Sequence, residues 1–324
     1  MGTLARLGAC VCALVVALLT QPSLAQQAYP SKPIRVVVPY PPGGATDISL
    51  RVYAPFVSEV LGQPIVIENK PGAGTNLGGE MVARSAPDGY TLYVASFASH
   101  SVNRWLFTKM PYDPAKDLVP VAMLTKGPQF LCVKPGSPFK SAADLIAYGK
   151  ANPGKLTFGS AGNGSPNHIC GELLKQIGKF EAVHVPYKGS AELQADLVAG
   201  QIDYAFDGAV IQHHRSGKLQ CIGGAAAIRW PTDPDIPPVN DSGAPGFDIA
   251  PYFALTAPTG TPADVVEKLH AAFAATAKRP ELAEKLKVTS GVPFIASLKE
   301  TQDYLASELV KWEALIKATG AKID

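Results

Sequence analysis

Two segments of this sequence carry residue types that can hold an anion without a lysine or arginine. The first, Tyr40-Pro41-Pro42-Gly43-Gly44-Ala45-Thr46-Asp47, follows the β-branched run Ile34-Arg35-Val36-Val37-Val38. The second, Gly159-Ser160-Ala161-Gly162-Asn163-Gly164-Ser165-Pro166, follows a short strand-like run that begins at Leu156. Each reads as a strand end, a glycine-rich turn and a helix start. Such a junction leaves backbone N–H groups unpaired at the sheet edge and favours negative charge there. Gly43 and Gly44 allow close approach to the main chain, and Asn163 and Ser165 add side-chain hydrogen bonds. Two such helix starts on opposite sides of a cleft would grip one carboxylate between them. The plainer alternative is a pair of tight turns that bind nothing, with Asp47 serving as a helix cap.

Other chemistries fail on spacing. Gly72-Ala73-Gly74-Thr75-Asn76-Leu77-Gly78 has Leu77 where the dinucleotide fingerprint requires glycine. Ser160 has Phe158 two positions before it, where a nucleophile elbow requires glycine. His168 and Glu172 stand one helical turn apart, but two ligands do not make a metal site, and His213-His214 reads as surface. No cofactor and no metal is expected.

The elements that must position these loops follow from the pattern. Short apolar runs at Ile34–Val38, Ile65–Ile67, Tyr90–Ser96, Val119–Leu124, Phe130–Lys134, Leu156–Gly159, Val183–Val185, Tyr204–Phe206 and Leu219–Ala227 read as strands. Between many of them lie helix signals: Gly62 as a stop, Ser141 and Ser165 as caps, Pro166 at a first position, and Ser297-Leu298-Lys299-Glu300 as a capping box. Pro55 is awkward inside the first helix. The last helix should bury Tyr304, Leu305, Leu309, Trp312 and Ile316. Strand–loop–helix repetition, with 30 glycines and 29 prolines in 324 residues, predicts an α/β fold. That length allows two domains.

Composition narrows the function classes. Hydrophobic residues make up 47% and charged residues 17%, and the dispersed net charge of +2 gives no basic stripe for nucleic acid. Residues 1–25 read as a secretory signal peptide: Arg6 is followed by an apolar run from Leu7, and Ser23-Leu24-Ala25 supplies small residues for cleavage after Ala25. The run is shorter than a membrane span. Cys10 and Cys12 would leave with this segment, so Cys132, Cys170 and Cys221 remain. Three thiols allow at most one pair, and their apolar neighbours predict buried, inert thiols.

The ordered set of motifs resembles one family closely: the periplasmic solute-binding receptors of the tripartite tricarboxylate transporters, also called Bug receptors. The similar segments include Tyr29-Pro30-Ser31-Lys32-Pro33, Val38-Pro39-Tyr40-Pro41-Pro42-Gly43-Gly44 and Glu68-Asn69-Lys70-Pro71-Gly72-Ala73-Gly74. Pro87-Asp88-Gly89-Tyr90-Thr91-Leu92, Gly159-Ser160-Ala161-Gly162, His184-Val185-Pro186-Tyr187-Lys188-Gly189 and Ala257-Pro258-Thr259-Gly260-Thr261-Pro262 complete the pattern. Tyr252-Phe253 stands where the family often carries tryptophan, and His214-Arg215-Ser216-Gly217-Lys218 also departs from it.

The resemblance implies a periplasmic-binding-protein fold, with two α/β domains, hinge strands and a ligand cleft between them. Domain 1 would be discontinuous, residues 26–124 plus 228–324, and domain 2 would be residues 125–227. It implies carboxylate binding by Tyr40, Pro42, Gly44, Ala45 and Asp47 from the first domain. From the second come Ser160, Ala161, Gly162, Asn163, Ser165, His168, Tyr187 and Lys188, with Asp207 as a further candidate that accepts a ligand amine or caps a turn. The protein so implied is a monomeric, non-enzymatic periplasmic receptor. Its ligand would be a small organic carboxylate, dicarboxylates and aromatic acids included, and its partner a two-subunit membrane permease. Two alternatives remain: a secreted hydrolase using Ser160 or Ser165 with His168, and a ligand sensor for a membrane signalling protein.

Overall fold

The computed structural model describes residues 29–319. The signal-peptide reading of residues 1–25, with Cys10 and Cys12, lies outside the described residues. Lys32 onward forms one unit built on two sheets.

The first sheet holds β1 (Ile34–Val38), β2 (Ile65–Asn69), β3 (Thr91–Ser96), β4 (Leu118–Lys126), β10 (Tyr252–Pro258) and β11 (Val292–Pro293), in the order β11-β4-β10-β3-β1-β2. The second holds β5 (Phe130–Val133), β6 (Leu156–Ser160), β7 (Ala182–Pro186), β8 (Tyr204–Asp207) and β9 (Gln220–Gly224), in the order β7-β6-β8-β5-β9. The strands followed by binding-loop candidates are parallel: β2-β1-β3 in one sheet and β7-β6-β8 in the other. The inner strands β1, β3, β6 and β8 are buried along most of their length, as strands covered on both sides are, whereas the edge strands β2 and β7 are half-exposed.

The chain leaves the first sheet after Lys126 and enters the second at Phe130; it leaves the second at Gly224 and re-enters the first at Tyr252. The two crossings run side by side. Gly127 N–H donates to Pro251 O, Ala225 N–H to Gln129 O and Ile249 N–H to Ala225 O. Tyr252–Pro258 has no strand in the sequence-based expectation, yet it is central, pairing antiparallel with both β3 and β4. Its Tyr-Phe-Ala-Leu-Thr-Ala run sits between proline-rich segments that mask it as loop.

Helix α1 (Ala45–Leu61) buries Leu50, Tyr53, Ala54 and Val57 at helical spacing. Tyr53 donates its hydroxyl to Leu124 O at 2.6 Å. Pro55 lies on the exposed face, where the carbonyl it leaves unpaired can turn to water. Gly62 ends the helix in the left-handed conformation, at φ 68°. The remaining helices are α2 (Asn76–Ala83), α3 (Asn103–Leu106), α4 (Ala142–Ala151), α5 (Pro166–Gly178), α6 (Ser190–Ala199), α7 (Ile211–Arg215), α8 (Ala263–Ala277), α9 (Pro280–Leu286) and α10 (Leu298–Thr319). On α10, Leu305, Trp312 and Ile316 are buried, but Leu309 and Tyr304 are half-buried. Glu308 is buried instead, accepting the Trp312 indole N–H at 3.0 Å.

The expectation of inert thiols is corrected for two of three cysteines. Cys132 and Cys221 form a disulfide, and Cys170 is free and buried. The two half-cystines oppose each other in the register of β5 and β9, a proximity that 89 residues of sequence separation conceal.

Candidate functional site

Both glycine-rich loops sit at the carboxyl ends of parallel strands, where open α/β sheets bind ligands. The Tyr40–Gly44 loop follows β1 and Ala161–Ser165 follows β6. A third junction, Tyr187–Gly189, follows β7 and starts α6. The N-caps of α1 and α6 are Gly44 and Gly189, and neither helix has a side-chain cap. Their first-turn N–H groups therefore have no intrahelical partner. Helix α5 differs: Ser165 caps it, its side chain accepting from His168 N–H, and Pro166 opens it.

These helix starts converge on two neighbouring cavities. The inner one measures about 30 Å³, room for ordered water only. Gly44, Ala45 and Thr46 line it from α1, with Gly189 and Ser190 from α6, Asn167 from α5, and Gln129, Asp207 and Phe253 at its end. The outer one measures about 330 Å³ and lies between Pro39–Pro41, Pro71–Thr75 and the Ala161–Ser165 loop, with Tyr187 and Lys188 at its side. Tyr40, Pro41 and Ala161 face both. The two halves touch here: a Cβ on Gly189 would stand 3.0 Å from the Pro41 ring, so glycine permits that approach.

Four expected site residues line neither cavity. Pro42 is exposed, and Pro41 holds the place expected of it. Asp47 is not the helix cap but its third residue, reaching back under the loop. Its Oδ2 accepts Gly43 N–H at 3.0 Å and Arg51 Nε–H at 2.8 Å, and its Oδ1 accepts Asn69 Nδ2–H at 2.9 Å. Burial pushes its pKa up, but the bonds from Arg51, Gly43 and Asn69 outweigh burial and hold it below the ordinary carboxylate value. Asn69 also donates to Tyr40 O at 2.9 Å, so Asp47 and Asn69 together set the loop's shape. Asp47→Ala is expected to cost about 2 kcal/mol of stability, because it removes a charged acceptor shared by Gly43, Arg51 and Asn69, and to weaken ligand binding through the loop. Urea unfolding and a binding isotherm on the same variant check both. The carboxylate's contribution is complete above pH ~4 and is lost as pH falls through its lowered native pKa.

Ser160 is 0% exposed, its Oγ held by His184 Nε2 at 2.6 Å and by Gly162 N–H at 3.2 Å. His168 is turned away too, its Nδ1 accepting Gly164 N–H at 3.2 Å. His168 and Glu172 come within 3.9 Å, but Lys175 already pairs with that carboxylate. Among the described residues no group of three or more ligating side chains could hold a metal ion.

Asp207 lines the inner cavity and is 2% exposed. Burial raises its pKa, opposed by hydrogen bonds from Ser190, Ala209, Asn167 and Gln194. Its Oδ2 accepts Asn167 Nδ2–H at 2.8 Å; its Oδ1 accepts Gln194 Nε2–H at 3.0 Å and Ala209 N–H at 2.7 Å. The carboxylate thus ties the starts of α5 and α6 to the end of β8.

Tyr40, Gly44, Ala45, Ala161, Gly162, Asn163, Ser165, Tyr187, Lys188 and Asp207 are brought together as cavity lining. Ser190, Asn167, Thr46, Gln129 and Phe253 join them unforeseen. The strand–loop–helix rule that found Gly44 applies equally to Gly189-Ser190 and could have found that pair. Gln129 and Phe253 carry no local signal.

Residues 49–321 match the family model described as tripartite tricarboxylate transporter family receptor. The chain is 35% identical over 299 residues to Protein BugT of Bordetella pertussis, covering 91% of each chain. Among solved structures, an R. palustris protein with adipate is similar at a TM-score of 0.87 and 33% identity, over 91% of this chain and 100% of that one. MatC from Rhodopseudomonas palustris, with bound malate, is similar at 0.84 and 32% identity, over 89% of this chain and 100% of that one.

Proposed function

The chain belongs to the tripartite tricarboxylate transporter family of receptors, and from that footing we propose that it captures a small organic carboxylate in the cleft described above. It is a periplasmic carboxylate-binding receptor, of a kind with the relatives that hold adipate and malate. The observation that carries the site is the convergence of two helix starts, at Gly44 and Gly189, that no side chain caps. A carboxylate supplies the acceptors these N–H groups lack and is favoured by both helix dipoles. Tyr40, Gly44, Ala45 and Ala161–Asn163 form the grip, with Ser165, Tyr187 and Lys188 toward the outer cavity and Asp207 bracing the inner end.

In this reading residues 1–25 are the export signal, cleaved after Ala25. Residues 26–124 with 228–324 form one domain and 125–227 the other, hinged at the paired crossings. Ligand contacts made only when the halves meet drive closure. The closed monomer then delivers its ligand to a two-subunit membrane permease. The protein catalyses nothing: the burial of Ser160 speaks against its use as a nucleophile.

A thermal-shift panel of di- and tricarboxylates, aromatic acids and acidic amino acids tests this. A ligand at a hundred times its Kd should raise the midpoint by about 5–10 °C. A panel without any shift, in a protein that unfolds cooperatively, would remove the carboxylate reading.

A further inference from the structure

Outside both cavities, against the Ala161–Ser165 loop, stands a stack of rings. His168 and His184 lie with ring centroids 4.2 Å apart, Phe158 follows at 4.8 Å from His184, and Tyr204 at 5.7 Å from Phe158. Each imidazole holds part of the loop. His168 Nδ1 accepts Gly164 N–H at 3.2 Å. His184 Nε2 meets Ser160 Oγ at 2.6 Å, and that Oγ accepts Gly162 N–H at 3.2 Å. Two amides of the cleft loop therefore rest on the imidazoles, one directly and one through Ser160.

Acceptance at Nδ1 requires that nitrogen to be unprotonated, so the neutral His168 carries its proton on Nε2, toward Glu172 at 3.9 Å. A second proton on Nδ1 would set two donors face to face at Gly164 and place a cation 4.2 Å from the His184 ring. The charged groups facing the pair are Glu172 and Lys175, both on α5. Lys175 Nζ bonds both Glu172 oxygens at 2.9 Å and lies 5.6 Å over the Phe158 ring. The one nearby anion is thus already paired, while the facing Phe158 and Tyr204 bring no charge. Burial, with Lys175 adding for His168 and His168 adding for His184, brings both imidazoles to a pKa of about 4.

We propose that His168, stacked on His184, is a positioning residue that forms a proton-operated latch on the ligand loop: neutral, its Nδ1 holds the Gly164 end of Ser160–Ser165 in its binding geometry, and protonated, it releases it. The inference rests on the receptor reading above, since the loop it controls is the ligand loop. The sign follows from linkage. The bound state needs a neutral His168, whereas a freed imidazole protonates near its ordinary pKa of ~6.5. Affinity is therefore full near neutral pH and falls as pH drops from ~6.5 toward ~4.

The test is calorimetry of the mature protein with malate and with adipate at about pH 7.5 and about pH 5, on wild type and His168→Gln. A glutamine oxygen can accept the Gly164 N–H without titrating. Each protein's affinity at the higher pH serves as its own reference. On acidification, wild type should lose about tenfold more affinity than the variant. Comparing the two proteins with one ligand cancels the ligand's own titration. Equal losses in both would overturn the latch. A second arm needs no ligand and no variant: the Gly164 amide resonance of wild type, followed from neutral pH to about pH 4, should titrate with the imidazole resonances of His168. A Gly164 amide that stays put while His168 titrates overturns the latch. Failure of every carboxylate to bind near neutral pH would instead strike the receptor reading, and this second arm would still decide the latch.

Discussion

Gly44→Phe is expected to yield a folded protein that has lost at least about a hundredfold in carboxylate affinity, equivalent to about 2.7 kcal/mol. The backbone permits the substitution: Gly44 has φ −77° and ψ 165°, an extended conformation open to any residue. Loss of a glycine N-cap costs about 1 kcal/mol, too little to unfold the chain. A Cβ at this position would have Pro41 O and Ser190 Oγ as its nearest atoms, both at 3.9 Å. The rest of the side chain must then grow into an inner cavity of about 30 Å³, or hold the two halves apart. Either outcome removes the α1 N–H groups from the ligand. Pro42→Ala is the matched control, because Pro42 is exposed and lines neither cavity, and its affinity should be unchanged. Calorimetry with the strongest carboxylate from the thermal-shift panel reads both variants. Unaltered affinity in Gly44→Phe would take this loop out of the site.

Reduction of the Cys132–Cys221 disulfide is expected to lower stability by about 2–5 kcal/mol, and the melting midpoint by about 10 °C. The bond closes a chain segment of 89 residues that includes β6, β7 and β8 and the junctions that follow β6 and β7. Closing a loop of that length removes a large share of the unfolded chain's freedom. The bond also pins β5 to β9 where the chain leaves and returns to the first sheet. Melting curves with and without reductant, and a Cys132→Ala/Cys221→Ala double variant, measure the effect. A midpoint unmoved by reduction and by the double substitution would mean that the bond adds nothing to stability. Cys170 offers the contrast: a free, buried thiol whose pKa burial pushes well up, and which should resist alkylation in the folded protein.

Much of the architecture was legible from local pattern. The β-branched run at Ile34–Val38, the stop at Gly62, the Ser141 and Ser165 caps and the Ser297–Glu300 box each encode their element within a few residues. The same locality made the two glycine-rich loops readable as binding candidates, since a strand end followed by glycines and a helix start is contiguous in the chain. What failed were attributes set by distant neighbours. Tyr252–Pro258, to which the sequence pattern assigned no element, becomes a central strand because β3 and β4 stand ready on either side. Asp47 matches a helix cap by type and position, but the tertiary partner Asn69 and the turn at Gly43 recruit it as a brace. Ser160 and His168 flank the Ala161–Ser165 loop but line neither cavity, because His184 from the neighbouring strand bonds the Ser160 hydroxyl and stacks on the His168 ring.

By itself the sequence determined the α/β class, most of its elements, the family resemblance and two glycine-rich loops at strand ends. These are properties of short stretches, where hydrophobic period, glycine and capping residues act on neighbouring backbone. Only the tertiary structure decided which side chains of those loops face the cleft, that Ser190, Gln129 and Phe253 complete it, and that Cys132 meets Cys221. Each of those facts depends on bringing together residues far apart in the chain. Strand register, crossing geometry and competition among buried polar groups for partners govern that step, and no local pattern records them.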